Sequence, residues 1–320
     1  MKRALAIVCM LAAPAIAEPD KRASDPEKHP VSGVVEHARV ELVPPGRPFK
    51  QLVVENPLGD VRIEGYDGRG LMIETQKHAP DADTLDRLRV SLIPNPDGTV
   101  RIATTADGSP EMQRVARSQV RIDLIIHAPR DMRVEAMVSA GKLAVVNMDA
   151  GGELDTSSGT IDVRNVSGGV LTHSVSGATS LAQVFGSVDA QTMSSNVDLD
   201  TISGDRLVAS ATKGRIAGRR VRSRDIELTT TDGKIMLEAE AALSGHLVVS
   251  SLYGDVEVKL HRHGAVIVRA RGSRVDLGTQ TPAPTNGWVQ DTFGQVDGRM
   301  RPALVELRSR WGAVQLTVVQ

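Results

Sequence analysis

Cysteine is almost absent from the sequence. The single cysteine among the 320 residues is Cys9, which lies inside the apolar run Ala4–Ala13 near the start. If that run belongs to a cleaved export signal, the mature chain has no thiol. A disulfide-stapled scaffold, a thiolate metal site and a thiol-dependent enzyme are then excluded.

Aromatic residues are also scarce, at 2% of the chain. The core must therefore be built from Val, Ile, Leu, Ala and Thr, whose branched members favour the pleated conformation of a strand. Between Met132 and Trp288 only Phe185 and Tyr253 provide the aromatic platforms on which sugar-binding clefts usually depend. The composition favours closely stacked strands and gives little support to a sugar cleft.

The chain lacks an excess of either charge and lacks a long apolar run. The formal net charge is −1, and both signs are scattered along the sequence. This balance argues against nucleic acid, or a strongly anionic membrane, as an electrostatic partner. No stretch after the first residues approaches the roughly 18 continuous apolar residues of a transmembrane helix.

The first residues have the features of an export signal. Lys2 and Arg3 precede the apolar run, and Ala15-Ile16-Ala17 is a small-x-small cleavage site. We therefore expect a signal peptide over residues 1–17 and a flexible tether over residues 18–30, which are polar and proline-rich. This predicts a periplasmic or extracellular protein. A lipoprotein signal ending at Cys9 is disfavoured, because Val8 stands where a small residue is expected.

A repeat runs through the second half of the chain. At each repeat a Gly or Ser is followed by an apolar residue two places later, four places later or at both positions, as in Gly159, Ile161 and Val163. The intervals between these corners are 18, 18, 18, 19, 19, 21, 19, 21 and 18 residues. The corner residues are Gly141, Gly159, Gly177, Ser195, Gly214, Gly233, Gly254, Ser273, Gly294 and Gly312.

Each repeat has the pattern of two short strands joined by tight corners. Apolar or small residues also fall seven, five and three places before the corner, as Leu247, Val249 and Ser251 do before Gly254. Repeats of this length cannot bury their apolar side alone, and they become stable by stacking. The pattern predicts an all-β fold, a parallel β-solenoid or β-helix with rungs of about 18–21 residues.

The region before the repeats is also rich in strand patterns. We expect residues 31–131 to form an N-terminal β-rich region that caps one end of the stack, and residues 132–320 to form the repeats. Together residues 31–320 are expected to be one continuous domain. A cap matters because an uncovered end would present unpaired strand edges.

Two segments and the serial corners resemble a known family. The segments are Asn56–Gly65 (NPLGDVRIEG) and Val120–Pro129 (VRIDLIIHAP), followed by rungs such as Ser158-Gly159-Thr160-Ile161. They resemble the bacterial DUF4097 family, whose adhesin label is an inference from architecture. The resemblance covers roughly residues 34–320. It implies an exported or envelope-associated β-solenoid-like domain with no established catalysis.

Two carboxylates on outward positions are candidates for a catalytic pair. Asp162 and Asp198 stand three places after their corners, two rungs apart, which places them about 9–10 Å from one another. Such a pair could serve an inverting glycosidase. Ser180 occupies the rung between them, however, and a solvated charged face explains the pattern better. We therefore assign no catalytic residue.

Histidines and arginines offer two further clusters. His261 and His263 face the same side of a strand and could chelate zinc or copper, but no third ligand is evident and Lys259 adds positive charge. His127 and His173 are expected to be structural or merely exposed. A basic cluster could contact lipid headgroups or an acidic partner. It comprises Arg215, Arg219, Arg220, Arg222 and Arg224. We assign no metal and no cofactor.

The sequence thus predicts a non-enzymatic, exported β-solenoid that binds an unidentified envelope component, with protein, polysaccharide and lipid headgroup as the open alternatives. The first alternative is a polysaccharide lyase or hydrolase, which a deep groove lined by carboxylates and arginine would favour over a flat surface. The second is a scaffold that stacks end to end, which light scattering at rising concentration would reveal.

Overall fold

The computed structural model describes residues 33–44, 46–107, 119–278, 283–296 and 301–319. The predicted signal peptide and tether lie outside these residues and stay predictions. The described part is built almost wholly of strands, with one helix of four residues. None of its helices has the length and apolar character needed to cross a membrane.

The first elements belong to the region before the repeats. In chain order they are β1 (Val34–Leu42), β2 (Gln51–Asn56), β3 (Val61–Tyr66), β4 (Leu71–Ala79), α1 (Ala82–Leu85), β5 (Leu88–Pro94), β6 (Thr99–Ala106) and β7 (Arg121–Pro129). The repeats begin immediately after β7.

The repeats contain the following strands. They are β8 (Arg133–Val138), β9 (Lys142–Met148), β10 (Gly152–Thr156), β11 (Thr160–Ser167), β12 (Val170–Ser174), β13 (Thr179–Phe185), β14 (Val188–Thr192), β15 (Val197–Lys213), β16 (Ile216–Asp232), β17 (Ile235–Ala241), β18 (His246–Ser251) and β19 (Val256–Arg262). The C-terminal strands are β20 (Val266–Arg271), β21 (Val275–Asp276), β22 (Val289–Phe293), β23 (Ala303–Ser309) and β24 (Val314–Val319).

Successive repeats stack as parallel strands. The strands before the corners pair as β8–β10–β12–β14, and those after the corners pair as β9–β11–β13–β15. Equivalent apolar residues are in register, so that Ile161 lies beside Leu143 on one side and Thr179 on the other. The alternating residues form one continuous buried core. The predicted all-β, parallel β-solenoid-like fold is confirmed.

A second bend within the rung was not predicted. It lies six residues after the corner, where five rungs place a non-glycine residue in the left-handed region with φ between 51° and 60°. Asparagine adopts this conformation more readily than most residues, but only two of the five are asparagine. They form a ladder, because Asn165 Nδ2 donates to Asn147 Oδ1 at 2.7 Å. The five residues are Asn147, Asn165, Gln183, Thr201 and Arg220.

The parallel stack begins earlier than the repeat pattern showed. Strands β2 and β3 pair in register with β8 and β9, so Gly59 is a corner equivalent to Gly141. Strands β6 and β7 add a further parallel layer, and β5, β4 and β1 continue it in antiparallel pairing. Parallel pairing continues across the predicted boundary between residues 131 and 132. The division into a cap and a repeat region stays a prediction.

Asn56 holds this first corner together. Its side chain is fully buried, and its Nδ2 donates to the carbonyl of Ile122 at 2.8 Å. Its Oδ1 accepts from Thr104 Oγ1 at 2.6 Å and from the amide of Leu58 at 3.2 Å. A buried amide side chain without hydrogen-bond partners would destabilise the fold. The network therefore holds β2, β6 and β7 in one arrangement.

The order of the last rungs differs from the predicted one. The sequence pattern placed corners Ser273, Gly294 and Gly312 one after another, and this order is wrong. Strands β23 and β24, which carry Gly312, insert between the Gly254 rung and the Ser273 rung. Gly294 is no corner of the stack, because it follows β22, which pairs antiparallel with β20.

Small hydroxyl residues three places before the corner cap the turn. The Oγ of Ser174, Ser251 and Ser309 accepts from the amide of the corner glycine in its own rung at 2.8–2.9 Å. Thr156 Oγ1 does the same for Gly159 at 2.9 Å. These hydroxyls satisfy backbone donors that would otherwise be buried without a partner.

Replacing Thr179 with valine is expected to raise the free energy of unfolding by about 1 kcal/mol. Thr179 is buried between Ile161 and Val197, and its hydroxyl has no hydrogen-bond partner among the described residues. The matched control is Thr156→Val, which removes the turn cap and should lower stability by about 1–2 kcal/mol. Urea unfolding of both variants measures the change in the free energy of unfolding, which should be positive for Thr179→Val and negative for Thr156→Val. A lower stability of Thr179→Val would contradict the expectation.

Candidate functional site

Asp162 and Asp198 lie on the same column two rungs apart, as their spacing predicted, with Ser180 between them. Asp162 forms ion pairs with Lys142 at 3.0 Å and Arg164 at 2.9 Å. Burial raises the pKa of Asp162, but the hydrogen bonds from Lys142 and Arg164 outweigh it, so the pKa is lowered overall. A carboxyl held ionised in this way is unsuited to general acid catalysis.

Changing Asp162 to asparagine tests this ion pair. The lowered pKa adds stability that is present above the unfolded pKa of about 3.8 and is lost as pH falls through the folded pKa. We expect Asp162→Asn to lose about 1 kcal/mol at pH 7 and to match the wild type near pH 2. Urea unfolding at both pH values measures this.

The control for that change is Asp198→Asn. Asp198 is more exposed and accepts from one cation, Arg215, at 2.7 Å, so the loss at pH 7 should be smaller. An equal loss at both pH values in Asp162→Asn would show that the ion pairs do not contribute.

A groove of about 600 Å³ crosses the strands that follow the corners. It spans six adjacent rungs, from Ser180 on β13 to Gln315 on β24, which is a length of about 24 Å at the usual strand spacing. Its lining residues are Ser180, Asp198, Leu199, Asp200, Arg215, Ala217, Gly218, Arg219, Met236, Leu237, Glu238, Glu257, Val258, Lys259, Gln315 and Thr317. Asp162 is not among them, so the predicted carboxylate pair does not share a site.

Small residues and a bulge occupy the middle of the groove. Ala217 and Gly218 take positions where neighbouring rungs carry larger side chains such as Met236 and Leu237. A Cβ on Gly218 would lie 2.8 Å from Leu237 Cδ1, so a larger residue there would displace the end of the leucine side chain. The pairing of β16 with β17 shifts by one residue between Gly218 and Val221. Bulges of this kind are frequent next to functional sites because they redirect side chains.

Charges of both signs line the groove, and most are paired across rungs. Arg215 contacts Asp198 at 2.7 Å, Lys259 contacts Glu238 at 2.8 Å, and Lys234 contacts Glu257 at 2.5 Å. Hydrogen bonds from Lys259 and then His261 lower the pKa of Glu238. Arg219 has no ion-pair or hydrogen-bond partner within the described ranges. The groove therefore presents ordered donors and acceptors, with Arg219 free for a ligand.

The predicted basic cluster does not form a single site. Arg215 and Arg219 line the groove, whereas Arg220 lies at the second bend and pairs with Asp200. Arg222 lies beyond that bend and contacts Glu240 at 2.6 Å. The backbone turns between these residues, so neighbours in sequence point to different sides of the rung.

The predicted histidine pair is engaged with carboxylates. His261 Nε2 lies 3.1 Å from Glu238, and His263 Nε2 lies 3.4 Å from Glu240, both on the adjacent strand β17. No group of three or more metal-ligating side chains occurs in the part of the chain that the structure describes. His127 and His173 likewise lie beside Glu64 and Asp155, at 3.5 and 3.6 Å.

The sequence did not reveal Arg219, Met236, Glu238 or Lys259 as neighbours in one groove. A sequence signal for this groove is the column of residues five places after the corner. It reads Arg164, Ala182, Asp200, Arg219, Glu238, Lys259 and Thr317. Its final member, Thr317, joins this column only because β24 is inserted beside β19.

The sequence and the fold both identify a family. Residues 49–274 match the family model described as Toastrack DUF4097. The chain belongs to this family. The match covers most of the chain, and the Toastrack domain therefore includes both the early Gly59 corner and most of the groove. None of the curated proteins matches the chain.

Several solved structures are similar at low identity. A "putative adhesin" from Bacteroides fragilis is 12% identical, with 90% of this chain and 99% of that chain covered and a TM-score of 0.40. A "putative lipid binding protein" from Parabacteroides distasonis is 9% identical, with 90% and 98% covered and a TM-score of 0.46. A "putative adhesin" from Parabacteroides merdae is 9% identical, with 89% and 97% covered and a TM-score of 0.41.

Proposed function

We propose that this Toastrack protein is an exported, non-enzymatic binding protein of the bacterial envelope that holds an extended peptide segment of a partner protein in its groove. The observation that carries the proposal is the groove across six rungs, with charges of both signs and a free Arg219. The export signal predicted over residues 1–17 supports a periplasmic or extracellular setting.

The lining of the groove suits a peptide. Backbone amides of an extended chain need both donors and acceptors, which the paired charges, Gln315 and Thr317 supply. Met236 adds an adaptable apolar contact of the kind used by surfaces that accept varied side chains. No aromatic side chain lines the groove, which makes a sugar chain the poorer fit. Paired charges are already ordered, and this reduces the entropy lost on binding.

A peptide array tiled from envelope proteins tests the proposal. Ala217→Trp fills the middle of the groove and should weaken binding of the selected peptides at least tenfold. Ala182→Trp is the matched control, because Ala182 lies on the same outward side two rungs away and does not line the groove. Binding that survives Ala217→Trp, or no peptide binding at all, would refute a peptide groove.

A polysaccharide lyase or hydrolase is the second candidate, because the groove is concave and carries carboxylates beside arginines. The pairing weighs against it. Asp198, Glu238 and Glu257 each contact a cation, and the pKa of Glu238 is lowered, whereas a general acid needs a raised one. Release of reducing ends or unsaturated sugars from a polysaccharide panel, lost in Asp198→Ala, would establish the enzyme and overturn the binding proposal.

A further inference from the structure

The ridge along the corners changes character at one end of the stack. In the earlier rungs of the repeats at least one of the two residues before the corner is small or polar, as in Ser157 and Ser158 or Thr231 and Asp232. The exposed apolar residues among them are Val175 and Met193, and none is aromatic or arginine. In the last three rungs of the stack they are Leu252 and Tyr253, then Arg310 and Trp311, then Arg271 and Gly272. Arg274 follows the last corner. We call these residues, Leu252, Tyr253, Arg310, Trp311, Arg271 and Arg274, the terminal ridge.

The two aromatic side chains of the terminal ridge are held outward by the backbone. Trp311 donates its amide to the carbonyl of Leu252 at 3.1 Å, and Tyr253 donates its amide to Thr231 at 3.0 Å. The corner amide of Gly312 is fixed by Ser309 Oγ at 2.9 Å. The side chains nevertheless stay 57% exposed at Tyr253 and 61% exposed at Trp311. Two large aromatic rings therefore lie in adjacent rungs and are exposed to solvent, in a chain that has few aromatic residues.

The arginines of the terminal ridge are unpaired. Arg271, Arg274 and Arg310 make no ion pair in the described part of the chain, and Arg310 lies 5.5 Å from the centroid of the Trp311 ring. The groove differs, because Arg215 and Lys259 there contact carboxylates. Asp255, which follows the Gly254 corner, accepts from the amide of Ala313 at 2.8 Å and forms no ion pair with these arginines in the described part of the chain. The terminal ridge is therefore a local cationic and aromatic surface, which a net charge of −1 conceals.

We propose that the terminal ridge docks the protein on a lipid membrane that carries anionic headgroups. Tryptophan and tyrosine rings have an apolar body and a polar edge, and they are enriched where a protein meets the membrane interface. Arginine extends an apolar stem beside them and presents its charge to phosphates. The exposed rings of Tyr253 and Trp311 follow the corners of adjacent rungs, so they suit a continuous surface, whereas small molecules are recognised in concave sites. This inference is independent of the groove and of any peptide in it.

Cosedimentation of the purified chain with vesicles tests the proposal. One set contains phosphatidylethanolamine with phosphatidylglycerol, and the other contains phosphatidylcholine alone. We expect binding to the anionic vesicles, a decline as salt rises, and an approximately fivefold loss of affinity for each of Arg271→Ala and Arg310→Ala. Trp311→Ala should lose at least tenfold. Tryptophan emission of the wild type should shift to shorter wavelength on binding, and this shift should be absent in Trp311→Ala.

Two exposed residues outside the terminal ridge serve as matched controls. Phe185→Ala removes an exposed aromatic ring, and Arg219→Ala removes an unpaired arginine of the groove. Both should bind anionic vesicles as the wild type does. The proposal is overturned if the wild type does not bind, if phosphatidylcholine binds equally, or if the controls lose as much as the ridge variants. Ridge-dependent binding of soluble dextran sulfate without vesicle binding would also overturn it, in favour of an anionic glycan.

Discussion

Replacing Gly177 with alanine is expected to lower the free energy of unfolding by about 3–5 kcal/mol. A Cβ at this corner would lie 1.4 Å from the carbonyl oxygen of Gly159 and 2.4 Å from its carbon. Both atoms are backbone, so no flexible side chain can move aside. The rungs would have to separate locally, and the stacked hydrogen bonds and core contacts beside the corner would be lost. Urea unfolding followed by circular dichroism measures the loss.

Gly169→Ala is the matched control for that change. Gly169 lies in the other turn of the same rung, is exposed, and its added Cβ would meet only Ser187 O at 3.9 Å. Its stability should change by less than about 0.5 kcal/mol. Ser195 shows that a corner can carry a side chain where the neighbouring backbone is set for it. Equal stability of both variants would mean that the Gly177 corner adjusts in the same way.

The sequence predicted most of the rung but not all of its chemistry. Alternation and the spacing of the corner glycines predicted the parallel stack, because apolar burial and backbone approach leave few other solutions. In the sequence pattern the residue three places before the corner is only apolar or small. Ser174 and Ser309 in fact cap the corner amide, a role that depends on the turn geometry. The Gly59 corner was missed because 82 residues separate it from Gly141, which hides the period.

The groove was less predictable than the core. Its residues come from rungs whose contacts depend on register, so Glu238 meets Lys259 only because β17 lies directly beside β19. The bulge between Gly218 and Val221 shifts the register of β16 against β17 by one residue and is not visible in the repeat intervals. Core positions carry an apolar residue in most rungs, so the pattern can be recognised from several rungs together. The residue types at outward positions differ from rung to rung, so no repeat predicts them.

Stack order is the feature that the sequence could not supply. The strand patterns Val266-Ile267-Val268 and Ala303-Leu304-Val305 present equivalent apolar columns, and either could lie beside Leu247 and Val249 on β18. Hydrophobic pattern alone therefore does not decide between rungs in chain order and the observed insertion of β23 and β24.

Two engineered disulfides distinguish the orders. In a Cys9→Ser background, Glu257→Cys with Gln315→Cys should close readily, since these positions are partners in adjacent strands.

The second pair, Glu257→Cys with Asp276→Cys, should not close. Gln315 pairs with both positions, so they lie two strand spacings apart, about 9.6 Å, which exceeds the reach of a disulfide. A stack in chain order would give the opposite result, because the Ser273 rung would then lie directly on the Gly254 rung. Ready closure of the second pair would therefore contradict the insertion.

Leu307→Asp is expected to lower the free energy of unfolding by more than about 4 kcal/mol. Leu307 is fully buried on β23, between Val249 of β18 and Ala270 of β20. A carboxylate there has no cation or donor to compensate its desolvation, and both neighbouring rungs lose their packing. Leu304→Asp on the same strand is the control, because Leu304 is exposed and its change should stay near 0.5 kcal/mol.

Because an inserted rung supports strands on both sides, Leu307→Asp should unfold the C-terminal rungs together. A loss confined to the last residues, seen by hydrogen exchange, would instead show that β23 and β24 are a peripheral pair.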